Sequence, residues 1–270
     1  MQVGCGPIVA WLTTRGSPSS LPLALPAATM AIAATPLTAL PAAAAIEVED
    51  VSKRYGARWA LVRVRFRLAA GETAMLAGRN GSGKSTLLRV LATALRPDLG
   101  AARIAGLDAV AHRDDVRRKV ALLDHRSHVY DALSALENLE IMARFLADGA
   151  LDRDRLMAVL EEVGLAARAS DPVSAFSAGM RKRLSLARVL LKTPEIALLD
   201  EPYGELDPPG FRLVDGILDR LRRRGATVLM ATHLVERGRE QCDRALVLAD
   251  GSVKWDGAAR HMALDAGLAE

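Results

Sequence analysis

Gly78–Thr86 reads GRNGSGKST, and the fold is decided there. The stretch fits G-x-x-x-x-G-K-[ST], with Gly78, Gly83, Lys84 and Ser85 at the fixed places. A polyphosphate needs several backbone N–H groups converging on it, and Gly81 and Gly83 permit a loop that bulkier residues would strain. Asn80, Ser82 and Thr86 complete the candidate phosphate-binding set. Lys84 can reach the β- and γ-phosphates, and the Ser85 hydroxyl can ligate Mg²⁺. Thr73–Ala77 before the loop is an apolar run of buried-strand type, and Leu87, Leu88, Leu91 and Leu95 after it recur at helical spacing. Strand, glycine loop and helix are the setting in which a helix N-terminus meets an anion. The loop implies a bound nucleoside triphosphate; its use must be read elsewhere.

A chain of 270 residues, half of them hydrophobic, accommodates one large α/β domain with a smaller insertion. Aromatic residues are only 4%, too few for single-strand stacking platforms. The net charge of +4 is mild and the arginines are dispersed. That favours a solvated surface or an acidic partner over nucleic acid. Cys5 and Cys242 lie far apart, without metal spacing, as expected in a reducing compartment. Leu21–Ile46 carries no charge and is long enough to span a bilayer, but Pro22, Pro26, Pro36 and Pro41 interrupt it. Residues 1–45 are therefore expected to be a disordered Ala/Pro-rich tail or to follow a start codon assigned too far upstream. A membrane-associating or cleaved segment is the alternative.

Ile46–Glu49 and Val62–Leu68 alternate as half-buried strands, the second with Val62, Val64, Phe66 and Leu68 on one face. Ala101–Leu107 and Val120–Leu123 read as further strands. Ser134-Ala135-Leu136-Glu137 is a capping box opening an amphipathic helix, and a second helix runs from about Asp154 to a stop at Gly164. Residues from about 126 onward thus form a helical insertion, reaching to about 190. Ile196–Leu199 is a buried strand ending in Asp200-Glu201, acids suited to Mg²⁺ and to an attacking water respectively. Ala226–Thr232 is another, with His233 at its carboxyl end, where open α/β sheets bind ligands. Ala245–Ala249 and Ser252–Trp255 flank an Asp250-Gly251 hairpin turn.

Phe176-Ser177-Ala178-Gly179-Met180 opens a basic helix, and its serine and glycine suit a further phosphate contact. In order after the glycine loop and before Leu198–Pro202, this pentapeptide makes the chain resemble the ATP-binding-cassette (ABC) ATPases, the motor subunits of membrane transporters. The resemblance covers about 46–260, with 261–270 as a C-terminal tail. It implies a P-loop α/β core with an antiparallel β-subdomain and an inserted α-helical subdomain. It makes GRNGSGKST the Walker A loop, Ile196–Asp200 Walker B, Glu201 the catalytic carboxylate and His233 the switch histidine, with Lys84 at the transferred phosphate. Tyr55 would stack on adenine, Gly204–Asp207 would be the D-loop, and Ser177 and Gly179 would contact the nucleotide of a partner subunit. The signature departs from LSGGQ at Phe176, Ala178 and Met180. Alignment from Leu133–Leu139 puts His125 where the family places a glutamine that serves Mg²⁺ or water. That histidine and the LSALENL run look like the haem-exporter ATPases of cytochrome c maturation. The resemblance implies ATP and Mg²⁺ as cofactors, a homodimer or a pairing with a second ATPase subunit, and a separate transmembrane permease. It also implies a cytoplasmic location, peripheral on the inner face of the membrane. A non-transport ABC ATPase acting on ribosomes or DNA is the alternative.

Overall fold

The computed structural model describes residues 44–146 and 152–263. In chain order its elements are β1 (Ala44–Tyr55), β2 (Arg58–Ala69), β3 (Thr73–Ala77), α1 (Lys84–Leu91), β4 (Leu99–Ile104), β5 (Leu107–Asp108), α2 (Arg113–Lys119), β6 (Val120–Leu123) and α3 (Ala135–Leu146). There follow α4 (Arg153–Glu162), α5 (Ala178–Lys192), β7 (Ile196–Asp200), α6 (Pro208–Arg223), β8 (Thr227–Ala231), α7 (Val235–Gln241), β9 (Arg244–Ala249) and β10 (Ser252–Ala258). Expectations for residues 1–43 and 264–270 lie outside the described residues. The first described strand runs from Ala44, and Met262 is buried.

Two sheets result. One is six-stranded, in the order β10-β9-β3-β8-β7-β6, parallel from β9 to β6, with β10 antiparallel at its edge. The other is antiparallel, in the order β2-β1-β4-β5. Side chains alternate across a strand, so both faces of the parallel sheet must be covered. Ala74, Leu76, Leu198, Leu229 and Leu246 point to a core shared with α1 and the antiparallel sheet. Met75, Ala77, Leu199, Met230 and Val247 point to a second core built with α3 to α6. Burial on both faces is why these strands are continuous apolar runs.

Between β6 and β7 the chain forms α3, α4 and α5. Glu137 N donates to Ser134 Oγ at 3.2 Å, and Ser134 N donates to Glu137 Oε2 at 2.7 Å, closing the capping box of α3. Asp152 caps α4 by accepting from Arg155 N at 3.1 Å. The Asp250-Gly251 turn has φ of 48° and 73°, both left-handed, as a two-residue hairpin needs.

Two strand readings are corrected. Residues 101–107 are not one strand, because the chain turns at Ala105-Gly106 (φ 49° and 77°) to make the β4–β5 hairpin. In β2 the alternation breaks at Val62, which is 37% exposed while Leu61 is 0% exposed. Val51 pairs with Val64 but Lys53 pairs with Leu61, so Ser52 alone faces two residues. Its hydroxyl accepts from Arg63 N at 2.9 Å, and Arg63 takes the bulge with φ 46°. Leu61→Ala should therefore cost about 2–5 kcal/mol, and Val62→Ala no more than about 0.5 kcal/mol. Urea unfolding of the two variants checks this; equal losses would place the bulge elsewhere.

Candidate nucleotide site

The site lies at the carboxyl ends of β3, β7 and β8, where parallel strands stop and loops converge. Beyond Ala77 the chain enters the glycine loop between two backbones. A Cβ on Gly78 (φ +146°) would lie 2.2 Å from the Leu248 carbonyl oxygen, and one on Gly83 (φ +110°) 2.4 Å from that of Ala60. Neither position accepts another residue without moving a strand. Gly83 is also the N-cap of α1, with no side chain capping the helix. Its first-turn N–H groups therefore face the loop, where an anion is favoured. The Lys84 ammonium donates to the carbonyls of Gly78 at 2.6 Å and Arg79 at 3.0 Å. Burial lowers its pKa, and the charges of Glu201 and Asp200 work against that drop.

Asp200, the last residue of β7, is buried, and its Oδ2 has no hydrogen-bond partner. Burial raises its pKa, with neighbouring Asp124 and Glu201 adding to the rise, while a hydrogen bond from Ser85 opposes it. The strand-end backbone is held by Lys182, a buried ammonium that donates to the Asp200 carbonyl at 3.3 Å. Glu201 leaves the strand in a left-handed conformation (φ 47°), fixed by its N–H donating to Ala231 O at 2.9 Å and by Gly204 N donating to its carbonyl at 3.1 Å. That conformation turns its carboxylate toward the loop after β8, where Glu201 Oε2 lies 2.8 Å from His233 Nδ1. An ionised carboxylate only accepts, so Nδ1 carries the proton of that contact and Nε2 is left on the opposite side of the ring.

Tyr55, Asn80, Gly81, Gly83, Lys84, Ser85, Thr86, His125, Asp200 and Glu201 share one cleft of about 610 Å³. Gly78 and His233 line an adjoining cleft of about 820 Å³, with Asn80 on the boundary of both. Ser82 is buried inside the loop, its Oγ without a partner. Ser177 and Gly179 line neither cleft. Ser177 caps α5, accepting from Met180 N at 3.2 Å, and a Cβ on Gly179 would lie 3.0 Å from the Glu205 carbonyl oxygen. Arg58 also lines the nucleotide cleft, a residue that sequence reasoning passed over although it stands in the same hairpin tip as Tyr55. Beside His125, Asp124 accepts from Arg89 at 2.8 and 3.1 Å and lies 3.2 Å from His128 Nε2. Burial would raise the Asp124 pKa, but those partners hold it low.

Loop, strand-end acids and sheet order define a P-loop nucleoside triphosphatase. The family profile described as ABC transporter matches residues 61–204. A daunorubicin resistance ATP-binding protein of Streptomyces coeruleorubidus is 38% identical over 224 residues, spanning 83% of this chain and 71% of the relative. An aliphatic sulfonates import ATP-binding protein of Yersinia pestis is 34% identical over 223 residues, spanning 82% and 79%. Among solved structures, a dimeric ATP-binding cassette in a post-hydrolysis state with ADP and Pi matches at 28% identity and a TM-score of 0.75. That match covers 80% of this chain and all of the other. The chain belongs to the ABC transporter family and is an ATP-binding, ATP-hydrolysing subunit of such a transporter.

Asp200 supplies a test of the site's electrostatics. Its pKa is raised on folding, so the folded state binds the proton more tightly. The stability this carries is present below the unfolded value, about 3.9, and is lost as pH rises from there. Asp200→Asn should therefore melt above wild type in nucleotide-free, EDTA-treated protein, with a margin that widens upward from about pH 4. Melting curves across that range check it; no margin at neutral pH would mean the buried carboxylate is not strained.

Proposed function

We propose that this chain is the cytoplasmic motor of an ABC exporter, acting as a dimer on a separate permease at the inner face of the membrane. The observation that carries the hydrolytic part is the Glu201–His233 contact at the strand ends beside Lys84. Lys84 and the loop N–H groups hold the β- and γ-phosphates, and the Tyr55 ring, half exposed at the hairpin tip, stacks on adenine. Glu201 orients the attacking water and accepts its proton, aligned by His233 through Nδ1–H.

The residues present fit Mg²⁺. Asp200 offers a buried carboxylate oxygen without a partner, and Ser85, lining the same cleft, offers a hydroxyl. Among the described residues no group of three or more His, Cys, Asp or Glu could hold a metal by itself. A carboxylate and a hydroxyl in one cleft suit Mg²⁺, which is bound through one or two protein oxygens together with substrate phosphates and water. Bound there, the ion would neutralise charge on the phosphates. His125 lines the same cleft and would serve as an acceptor for metal-bound water.

Ser177 and Gly179 stand apart from their own chain's cleft, which supports completion of a partner's site in a dimer, with a second copy or a related ATPase subunit. Among the described residues no helix is long and apolar enough to cross a membrane. Export is favoured by the drug-resistance relative over the import relative, on identities of 38% against 34%. The narrower reading, haem export in cytochrome c maturation, rests on His125 and Leu133–Leu139, and neither of these relatives is named for it.

Glu201→Gln should keep ATP affinity while hydrolysis falls by about 10²- to 10⁴-fold, and it should dimerise with ATP in light scattering. Wild-type turnover would remove Glu201 from this role. For direction, inside-out vesicles carrying the copurified permease should accumulate daunorubicin or a similar amphipathic aromatic when ATP is added, and Glu201→Gln vesicles should not. ATP-driven loss of cargo preloaded into those vesicles would reverse the assignment to import.

A further inference from the structure

Glu201 and His233 sit on different segments, and the His233 ring is largely exposed, with Glu201 Oε2 as the partner of its Nδ1. What aims one at the other must come from how the two segments are held. Two residues after Glu201, the Tyr203 side chain is 1% exposed, and its hydroxyl donates to Asp215 Oδ1 of α6 at 2.7 Å. Four residues after His233, Arg237 of α7 donates to Asp215 Oδ2 at 2.5 Å. The Arg237 guanidinium also stacks at 5.4 Å over Tyr203 and 5.1 Å over Phe211, whose rings meet edge-to-face at 5.5 Å. One carboxylate therefore ties the turn that carries Glu201 to the helix that follows His233. From its inner side, α7 is pressed onto β3, since a Cβ on Gly238 would lie 2.0 Å from Met75 Sδ. Burial first, and then the Asp215 carboxylate, push the Tyr203 phenol upward, so it remains a donor throughout the physiological range.

We propose that Asp215, through Tyr203 and Arg237, is a positioning residue for ATP hydrolysis that sets the Glu201–His233 geometry. It lines neither cleft; it acts through the two segments that carry Glu201 and His233. The proposal rests on the assignment of Glu201 and His233 made above. A catalytic group displaced by about 1 Å costs on the order of a hundredfold in rate. A carboxylate with one donor on each oxygen has no substitute that keeps both contacts and their charge.

The test is steady-state and single-turnover ATPase kinetics on the full chain bearing Arg237→Ala, Arg237→Lys, Asp215→Asn or Tyr203→Phe, each also melted. Arg237→Ala and Asp215→Asn should lower kcat by about ten- to a hundredfold. KM for ATP should stay within about twofold of wild type, because the phosphate loop is untouched. Arg237→Lys, which keeps the charge, should recover part of the loss. Tyr203→Phe keeps the stacking and should fall between. Combined with His233→Ala, Arg237→Ala should add no further loss in single turnover, since the group it positions is gone. A merely structural contact would instead lower the melting temperature and change rates additively. Overturning results are unchanged kcat in Arg237→Ala, or full additivity with His233→Ala. If Glu201→Gln turned over normally, the assignment beneath would fail instead, and the two failures are separable.

Discussion

The glycine loop is confined by backbone on two sides, and the rest of the molecule depends on that confinement. Gly78 lies against the Leu248 carbonyl of β9, and Gly83 against the Ala60 carbonyl of β2. The loop is therefore clasped between the parallel sheet and the antiparallel one. Nothing larger than hydrogen fits at either place, so both sheets must approach to one distance for the loop to close. The hydrogen bonds from Val62 N to Gly251 O at 2.8 Å and from Gly251 N to Ser82 O at 3.1 Å stitch the same junction. The β2 bulge belongs to this arrangement: it leaves Val62 on the outside, with its N–H donated to the turn after β9.

Around that clasp, charge is placed where water is scarce. Asp200 and Lys182 are both buried beside the cleft, each with a pKa moved toward its neutral form by burial. An isolated buried carboxylate is costly. Here one oxygen of Asp200 has no partner, beside the Ser85 hydroxyl and the Lys182 ammonium, at the edge of the cleft. The stability lost there is offset elsewhere, chiefly by two apolar cores on opposite faces of the parallel sheet.

Much of this was legible in the sequence for a physical reason. Strands buried on both faces are unbroken apolar runs, so β3 and β6 were read to the residue, and a phosphate loop needs glycines at fixed spacing. Local capping also carries its own signal, as at Ser134 and Glu137. Part of what escaped depends on partners distant in sequence. The bulge at Val62–Arg63 is made by the Ser52 hydroxyl across the strand pair, and no pattern within β2 reports it. The turn inside 101–107 hides because Ala105 takes a left-handed φ that alanine seldom signals. Helix α2 buries only Val116, leaving no apolar stripe, although Asp114 and Asp115 at its start and Arg117–Lys119 at its end suit a helix dipole. For α6, Asp207 as N-cap and Pro208 behind it are a start signal, but those residues read first as the end of a motif. Arg58 escaped because a lone arginine at a turn carries no spacing.

The two halves of the site are built from different parts of the fold. The phosphate loop and α1 are packed into the core shared with the antiparallel sheet, while Tyr203 and Val214 of α6 belong to the other core. Asp200 closes β7 between them, and the backbone bond from Glu201 N to Ala231 O crosses from β7 to β8 at the level where the Glu201 and His233 side chains emerge. The glycine loop is therefore held by a clasp that leaves no room for a side chain at Gly78 or Gly83. On the reading proposed above, the acid–histidine pair is aimed by side chains outside that loop, Tyr203, Asp215 and Arg237. If Glu201 and His233 act as proposed, a subunit that binds ATP in one state and hydrolyses it in another is served by that division, because the phosphate loop and the acid–histidine pair are anchored separately.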